Sequence, residues 1–155
     1  MEQRAFQDLI PRNHCWGCGP FNEHGLQIKS YWSGDESVCS WRPHPEHMAG
    51  PTTILNGGII ATIVDCHCVC TAIAAAYRAE GRAMDTEPLI WYATAALEVS
   101  YRRPTPIVAP LLLRARIVGI AGRKTVVTCS LISEGEERAE GRVVAVRVSE
   151  EWRAE

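Results

Sequence analysis

The sequence has no excess of basic residues, and this limits the partners that the chain can have. Its 16 Lys and Arg against 18 Asp and Glu give a formal net charge of −2. A domain that binds nucleic acid normally carries a strongly basic surface, so we expect no nucleic-acid partner. The first ten residues also lack a basic stretch followed by an apolar run, so they do not predict a signal peptide.

The cysteines lack the even number and regular spacing of a disulfide framework. Seven cysteines leave at least one thiol unpaired, and free thiols are typical of a reducing compartment. This cysteine usage favours a cytoplasmic protein.

Internal repeats, low-complexity segments and linkers are missing as well. The 155 residues are 46% hydrophobic and 22% charged, a composition that excludes a disordered chain. The length fits one domain, so we expect a single domain over residues 1–155. Residues 1–25 are an N-terminal extension that contains a turn-rich Cys-x-x-Cys segment at Cys15–Pro20.

Hydrophobic patterns and turn residues predict two strands, one long helix and four further strands. Asn56 is a favoured helix N-cap and Gly81 suits the position just beyond a helix end, so we expect a central helix over residues 56–80. This order indicates an α+β fold. The predicted strands are Leu26–Trp32, Ser37–Trp41, Leu89–Tyr101, Leu111–Ile120, Lys124–Ile132 and Arg142–Val148.

The central helix is almost free of charge. From Ile59 to Tyr77 it has no Lys or Arg, and its one acid is Asp65. A central Asp costs about 2.5–3.5 kcal/mol in a bilayer, so we expect a buried helix and no membrane partner. A helix this apolar needs cover on nearly all sides. An antiparallel sheet wrapped around it, with a second copy of the chain closing the open side, meets that need.

Asp65 is the first candidate for chemistry. Its neighbours on the helix are mostly small, which predicts open space beside the carboxylate; they are Gly58, Ala61, Thr62, Cys68, Val69 and Ala72. A buried carboxylate must be paired, hydrogen-bonded or neutralised. A catalytic acid beside a cavity is one interpretation. An Asp hydrogen-bonded at a subunit contact, or one facing bulk water, is the other.

Gly57 and Gly58 open the same helix. The first turn of a helix has backbone N–H groups without intrahelical partners, so two glycines there suit an oxyanion hole; close helix–strand packing is the alternative. Gly57 and Asp65 are eight residues apart, or about 12 Å along the axis. One carbonyl cannot reach both. A shared site therefore predicts two antiparallel helices in a homodimer, with the site at the interface.

Three segments in order resemble one known family. They are "CWGCGPFNEHGLQIK", "LNGGIIATIVD" and "TAALEVSYRRPTP", and together they cover most of residues 14–148. The sequence resembles the hotdog-fold acyl-CoA thioesterases of the phenylacetate-degradation type. The resemblance implies an antiparallel sheet wrapped around one long helix, homodimers paired through the sheet, and a homotetramer. It also implies hydrolysis of an acyl-CoA thioester by water, with no cofactor and no metal.

The resemblance also implies roles for individual residues. The helix-opening Gly57, or Gly58, binds the thioester oxygen, Asp65 acts on water as base or nucleophile, and Thr94 helps to hold the water. Asn56 stands where the family usually has His, and it caps the helix or directs its amide at the thioester. Apart from the resemblance, Thr94 is also an ordinary β-branched strand residue.

The substrate needs further groups around it. His47, in the loop before the helix, is a candidate to bind the thioester. Arg102 and Arg103 end one predicted strand, and Arg123 and Lys124 begin another. Cations of this kind suit the phosphates of coenzyme A, although charge at strand ends is also ordinary surface. Three aromatic residues are candidates for an acyl pocket or for core, namely Trp41, Trp91 and Tyr92.

Three other interpretations stay open at this point. A zinc site is one, with a candidate ligand set of His14, Cys15, Cys18 and His24, although one Cys-x-x-Cys pair is a weak signal. On the helix, Cys66 and Cys70 align with the core face and are expected to act as small apolar residues. A non-catalytic acyl-CoA-binding module and a hydratase that uses His67 with Asp65 are the other two.

Overall fold

The computed structural model describes residues 2–154, and these form one antiparallel sheet that curves around a long helix. Neighbouring strands follow the order β1-β2-β4-β5-β6-β3. The strands are β1 (Ser30–Ser33), β2 (Glu36–Trp41), β3 (Trp91–Tyr101), β4 (Leu111–Ala121), β5 (Lys124–Ser133) and β6 (Glu136–Val148). The α-helices within these residues are α1 (Phe6–Leu9), α2 (Gly57–Ala79) and α3 (Glu150–Arg153), and a short 3-10 helix spans Pro45–His47.

Helix α2 confirms the predicted central helix. Asn56 is its N-cap, and Gly81 follows its end with φ +65°, a conformation that suits glycine. The helix is long and apolar enough to cross a bilayer by length and composition. It lies instead against β3, β4, β5 and β6, with most of its apolar window buried. The arrangement is the hotdog architecture that the resemblance implies.

One face of the sheet is buried against the helix. Along β4, β5 and β6 buried and more exposed residues alternate, as expected for strands with one face on a core. At Gly141 of β6 the helix comes unusually close, because an added Cβ would lie 2.3 Å from Cγ1 of Val64. A glycine there lets α2 sit directly on the sheet, one residue before Asp65.

A polar network lies under α2, on the side away from Asp65. His67 is fully buried, with Nδ1 2.7 Å from the Ser30 hydroxyl and Nε2 3.2 Å from the Ser37 hydroxyl. Ser37 also contacts the Thr71 hydroxyl at 2.6 Å, and the Gln7 amide donates to Ser30 at 2.8 Å. Burial lowers the pKa of His67 to about 4, so its ring is neutral at pH 7. Satisfied networks of this kind fix the rotation of an element.

The N-terminal extension covers another side of α2. Phe6, Ile10 and Cys18 are buried in the core, and Gly17 lies so close to the helix that an added Cβ would be 2.3 Å from the Cys66 Sγ. We expected the sheet and a second copy of the chain to cover the helix. Within one chain, the extension already supplies part of that cover.

Two predicted strand limits are wrong by four residues or more. Strand β6 begins at Glu136 and not at Arg142, because pairing with both β5 and β3 extends it through residues of low strand propensity. Strand β1 begins at Ser30 and not at Leu26. Gln27 has φ +52°, which interrupts the extended backbone before it can pair.

Candidate active site

Asp65 and Thr94 meet across the helix–sheet junction. The Thr94 hydroxyl donates to Oδ1 of Asp65 at 2.7 Å. Thr94 lies on β3 just before a bulge, where the register against β6 shifts between Thr94 and Ala96. Bulges re-aim side chains and are frequent beside active sites. The structure therefore joins the two residues, 29 positions apart, that the resemblance placed together.

The Asp65 carboxyl is half-buried, and its surroundings change its acidity. Burial raises the pKa of Asp65, while the hydrogen bond from Thr94 lowers it in part. Burial thus makes the carboxylate a stronger base than an exposed Asp. Its oxygens retain room to accept a second donor such as water, because Thr94 occupies one lone-pair direction only.

A cavity of about 340 Å³ adjoins Asp65 and Thr94. The helix side chains that line it are Asp65, Cys66, Val69, Cys70 and Ile73. The open space lies beside Asp65 as predicted, but its walls differ from the prediction. Cys68 and Ala72 are buried in the core, because the sheet occupies that side of the helix, and the cavity opens toward the N-terminal extension.

The other walls of the cavity come from β3 and the two ends of the chain. They are Ile10, Asn13, Cys15, Cys18, Trp91, Tyr92, Ala93 and Trp152. Trp91 and Tyr92 thus line the cavity as one interpretation predicted. Trp41 does not, since its indole N–H donates to the Leu26 carbonyl at 2.9 Å in the core. Sequence reasoning missed Trp152, because a single Trp in a charged tail carries no pattern.

The two candidate glycines at the helix N-terminus differ in whether the backbone N–H group is free. Oδ1 of Asn56 accepts from the Gly58 N–H at 2.7 Å and from the Ile59 N–H at 3.2 Å, so the Gly58 donor is engaged by the cap. Among residues 2–154 the Gly57 N–H meets no hydrogen-bond acceptor. It remains free for a ligand, and so does the side-chain N–H₂ of Asn56.

Gly57 is also held by Tyr101, which sequence reasoning did not single out. The Tyr101 hydroxyl donates to the Gly57 carbonyl at 2.6 Å, which ties the end of β3 to the start of α2. Thr94 and Tyr101 are seven residues apart on one strand, about 23 Å when extended. Within one chain, Gly57 is therefore joined to the C-terminal end of β3, whereas Asp65 is joined to its N-terminal half.

His47 contacts the helix start through its backbone. Its carbonyl accepts from the Asn56 N–H at 2.9 Å, and its Nδ1 accepts from the His44 N–H at 3.0 Å. The ring packs on Trp41, with centroids 5.4 Å apart. The structure thus uses one ring nitrogen within the loop, and the predicted role of His47 toward substrate rests on Nε2 alone.

The four candidate phosphate ligands lie at two ends of the sheet. Arg102 and Arg103 follow Tyr101 near Gly57, and Arg102 pairs with Glu140 at 2.6 Å. Lys124 is in register with Val146, which pairs with Ala93 beside Thr94. Within one chain most of the length of β3 therefore lies between the two pairs.

The predicted zinc ligand set is not assembled in the part of the chain that the structure describes. His14 packs on Phe21 with ring centroids 5.4 Å apart, and His24 lies 3.7 Å from Glu23. Cys15 and Cys18 instead face the helix cysteines Cys66 and Cys70, each at an Sγ–Sγ distance below 4 Å. Cys66 and Cys70 are buried in the core as expected, and they also contact the two cysteines of the N-terminal turn.

The predicted hydratase pairing also fails. His67 points into the network under the helix, while Asp65 faces the cavity on the opposite side. The two side chains cannot act on one substrate.

The chain matches no protein-family model. Among curated proteins it is similar to acyl-coenzyme A thioesterase THEM4 of Mus musculus, at 32% identity over 91 residues. That match covers 59% of this chain and 34% of the relative. A match to THEM4 of Rattus norvegicus, at 30% identity, covers 64% of this chain and 37% of the relative. The matched region thus spans little more than a third of these curated relatives.

Solved structures give wider coverage. A PaaI protein of the phenylacetic acid degradation operon of E. coli superposes with a TM-score of 0.64 at 13% identity, covering 80% of this chain and 81% of that one, which supports the fold. A thioesterase superfamily protein from Shewanella loihica is 34% identical, with a TM-score of 0.65, and the alignment covers 83% of this chain and 96% of that one. On this identity and coverage, the chain belongs to the thioesterase superfamily.

Proposed function

We propose that this protein hydrolyses acyl-CoA thioesters to free acid and coenzyme A. The observation that carries the proposal is the Asp65–Thr94 hydrogen bond of 2.7 Å at the wall of a largely apolar cavity. A carboxylate held in this way can hold a water molecule against an acyl carbonyl. The curated relatives named acyl-coenzyme A thioesterase support the substrate class.

The chemistry divides between two groups. In one route Asp65 takes the proton of a water that attacks the thioester carbonyl, the C–S bond breaks, and the departing coenzyme A thiolate takes up a proton. In the other route Asp65 attacks the carbonyl itself and expels the thiolate, and water then cleaves the resulting anhydride to the free acid and the Asp65 carboxylate. The oxyanion that forms needs donors, and the free Gly57 N–H at the positive end of the α2 dipole is suited to it. A single turnover in ¹⁸O-water tests the anhydride route, because label enters the Asp65 carboxylate only when water cleaves an anhydride at that carboxyl group.

The two groups meet only if two chains combine, so we place the site between two copies. Strand β3 is an edge strand that pairs with β6 on one side only, and its middle residues 94–98 are exposed. A long exposed edge is a template for another strand. Antiparallel pairing of two β3 strands across a two-fold axis would bring Gly57 of the partner subunit toward Asp65. A tetramer remains a prediction.

The cavity sets the acyl group that we propose. Pockets for small molecules span about 300–1,000 Å³, so a cavity of about 340 Å³ is small. Its indole and aliphatic walls, Trp91, Trp152, Val69 and Ile73, suit an aromatic or a short to medium aliphatic acyl group better than a long fatty chain.

The first test compares two Asp variants. Asp65→Asn keeps the size of the side chain but removes the base, so we expect kcat to fall by at least about 100-fold. Asp35→Asn changes an exposed hairpin turn and should leave kcat unchanged. Hydrolysis of aliphatic and aromatic CoA esters is best followed by chromatography, because the protein's own thiols react with thiol reagents. An Asp65→Asn variant with near wild-type turnover would refute the proposal.

The shared site has its own test. Asp65→Asn chains are co-expressed with chains that lack the Gly57 N–H, each variant carrying a different tag. Half of randomly assembled dimers are mixed, and each mixed dimer keeps one intact site of two, so about a quarter of wild-type activity should return. If both groups acted within one chain, the mixture would show no recovery.

Binding of CoA esters without turnover by the wild type would favour a non-catalytic acyl-CoA-binding module.

A further inference from the structure

The N-terminal extension and helix α2 bring four thiols together. The Sγ atoms of Cys15, Cys18 and Cys66 all lie within 4.8 Å of one another. Cys70 is one helical turn beyond Cys66, and its Sγ is 3.9 Å from that of Cys18. Two sequence-distant segments thus contribute two cysteines each, and neither the proposed hydrolysis nor simple core packing requires this pattern.

The local backbone holds the thiols in place. The Cys15 carbonyl accepts from the Gly19 N–H at 2.7 Å, which closes a tight turn and directs both cysteines of the Cys-x-x-Cys segment to the helix. Gly17 lets this turn press on Cys66, since any Cβ there would collide with the Cys66 sulfur. Spacing of four residues places Cys66 and Cys70 on one helix face.

Two of the sulfur–sulfur distances match those of a metal-bound thiolate cluster, and Cys70 approaches the other three thiols through Cys18. A tetrahedral zinc site has Zn–S bonds of about 2.3 Å, which places its sulfurs about 3.8 Å apart. The Cys15–Cys66 and Cys18–Cys70 distances are 3.7 Å and 3.9 Å. A covalent disulfide would need sulfurs only about 2.05 Å apart, and thiol–thiol contacts alone contribute little because both groups are weak donors and acceptors.

The surroundings also suit such a cluster. Cys18, Cys66 and Cys70 are at least nine-tenths buried, while Cys15 reaches the surface and gives a cation a way in. The side-chain N–H₂ of Asn13 lies 3.7 Å from the Cys18 Sγ as a donor. Donors to ligating sulfur stabilise the thiolate form.

We propose that Cys15, Cys18, Cys66 and Cys70 bind one zinc ion that fastens the N-terminal extension to helix α2. Each thiol releases its proton to solvent as its bond to zinc forms, and four soft thiolates favour zinc over magnesium or calcium. This proposal replaces the sequence-based expectation of a chain without metal. The four thiols also line the cavity beside Asp65, but the proposal is tested separately from the thioesterase activity, because zinc content is measured without turnover.

Metal analysis of the anaerobically purified wild type is expected to give one zinc per chain, with about four sulfur neighbours at about 2.3 Å by X-ray absorption. Cobalt added to the reduced, zinc-free protein should give the visible bands of tetrahedral thiolate coordination. A wild type without zinc that takes up no cobalt, or one that contains iron, would overturn the proposal.

Four variants give the matched comparison. Cys15→Ala and Cys18→Ala should lose zinc, whereas Cys39→Ala and Cys129→Ala, at buried cysteines outside the cluster, should keep one equivalent. Cys15 is exposed, so its variant is expected to fold even if that of Cys18 does not, and circular dichroism verifies this. A folded Cys15→Ala chain that holds zinc as tightly as the wild type would refute the assignment.

A chelator supplies an independent readout. Removing zinc should lower the Tm of the wild type, because the ion binds only the folded arrangement of the four thiols. The same chelator should leave the Tm of Cys15→Ala unchanged, since that variant has no ion to lose. An equal shift in both proteins would show that the chelator acts elsewhere and would count against the site.

Discussion

Replacing Gly57 by proline removes one backbone N–H at a position where a helix tolerates proline. Gly57 is the first residue of α2, where proline is favoured because that N–H has no intrahelical partner. The preceding Asn56 has ψ 133°, which is the extended conformation that precedes proline most easily. The substitution therefore tests the proposed oxyanion donor without disturbing the helix.

Alanine at the same position is the matched control, because it keeps the N–H. A Cβ on Gly57 would lie 3.5 Å from the Tyr101 ring, an ordinary contact, so Gly57→Ala is expected to be tolerated. Both variants restrict the unfolded chain and should be more stable than the wild type by about 0.4–1 kcal/mol. Thermal melts should therefore show that neither loses activity by unfolding.

The difference between the two variants measures the donor. Loss of one oxyanion-hole donor lowers kcat by about 10²–10³, or about 2.7–4 kcal/mol of transition-state stabilisation. We expect that loss for Gly57→Pro, measured by steady-state hydrolysis of the best CoA ester, and a small effect for Gly57→Ala. If the proline variant were as active as the alanine variant, the Gly57 N–H would have no part in catalysis.

Three further predictions concern the support of the site. Thr94→Val removes a hydrogen bond to the Asp65 carboxylate, and such a bond to a charged group is worth about 1.5–3 kcal/mol. We therefore expect kcat to fall about 10–100-fold in Thr94→Val and to stay near the wild-type value in Thr94→Ser. Equal kcat values in the two variants would reject a role for the Thr94 hydroxyl. Gly141→Ala forces a methyl group into the helix and should cost about 1–3 kcal/mol in urea unfolding, whereas Gly119→Ala, with open space around it, should be neutral; equal midpoints would contradict the close approach. Replacing Arg123 and Lys124 by Gln should raise KM for a CoA ester more than for its short pantetheine analogue, and equal changes would remove both from the phosphate site.

Much of the fold could be predicted because its signals are local. The helix cap at Asn56 and the glycine at Gly81 bound α2 correctly. Strand-forming residues along Leu111–Ile120 and Lys124–Ile132, with Pro or Gly in the breaks between the runs, predicted two strands to within a residue. The first half of strand β6 was not predicted, because it is rich in charged residues and is held in place by pairing on both of its edges. Pairing between distant segments is invisible to local propensity.

The candidate site could also be predicted only in part. Asp65 stands out in the sequence because a carboxylate in an apolar helix is energetically costly to bury. The resemblance added Thr94, whose hydroxyl lies 2.7 Å from Oδ1 of Asp65 in the structure. The side of the helix on which the cavity opens could not be predicted, since it depends on where the sheet and the N-terminal turn pack. The meeting of Cys18 with Cys70, 52 residues apart, and of Trp152 with the cavity are consequences of tertiary packing alone.

The buried hydrogen-bond network around His67 has a practical consequence for altering acyl preference. Cavity-facing positions such as Val69 and Ile73 can be enlarged or reduced individually, since each borders empty space. Thr71, on the opposite face of α2, and Ser37, on β2, offer no such freedom, because their hydroxyls contact each other and Ser37 also contacts the His67 ring. Exchanging either for an aliphatic residue would break the buried network that fixes the rotation of α2. A library aimed at new substrates should therefore vary one half of this helix and hold the other constant.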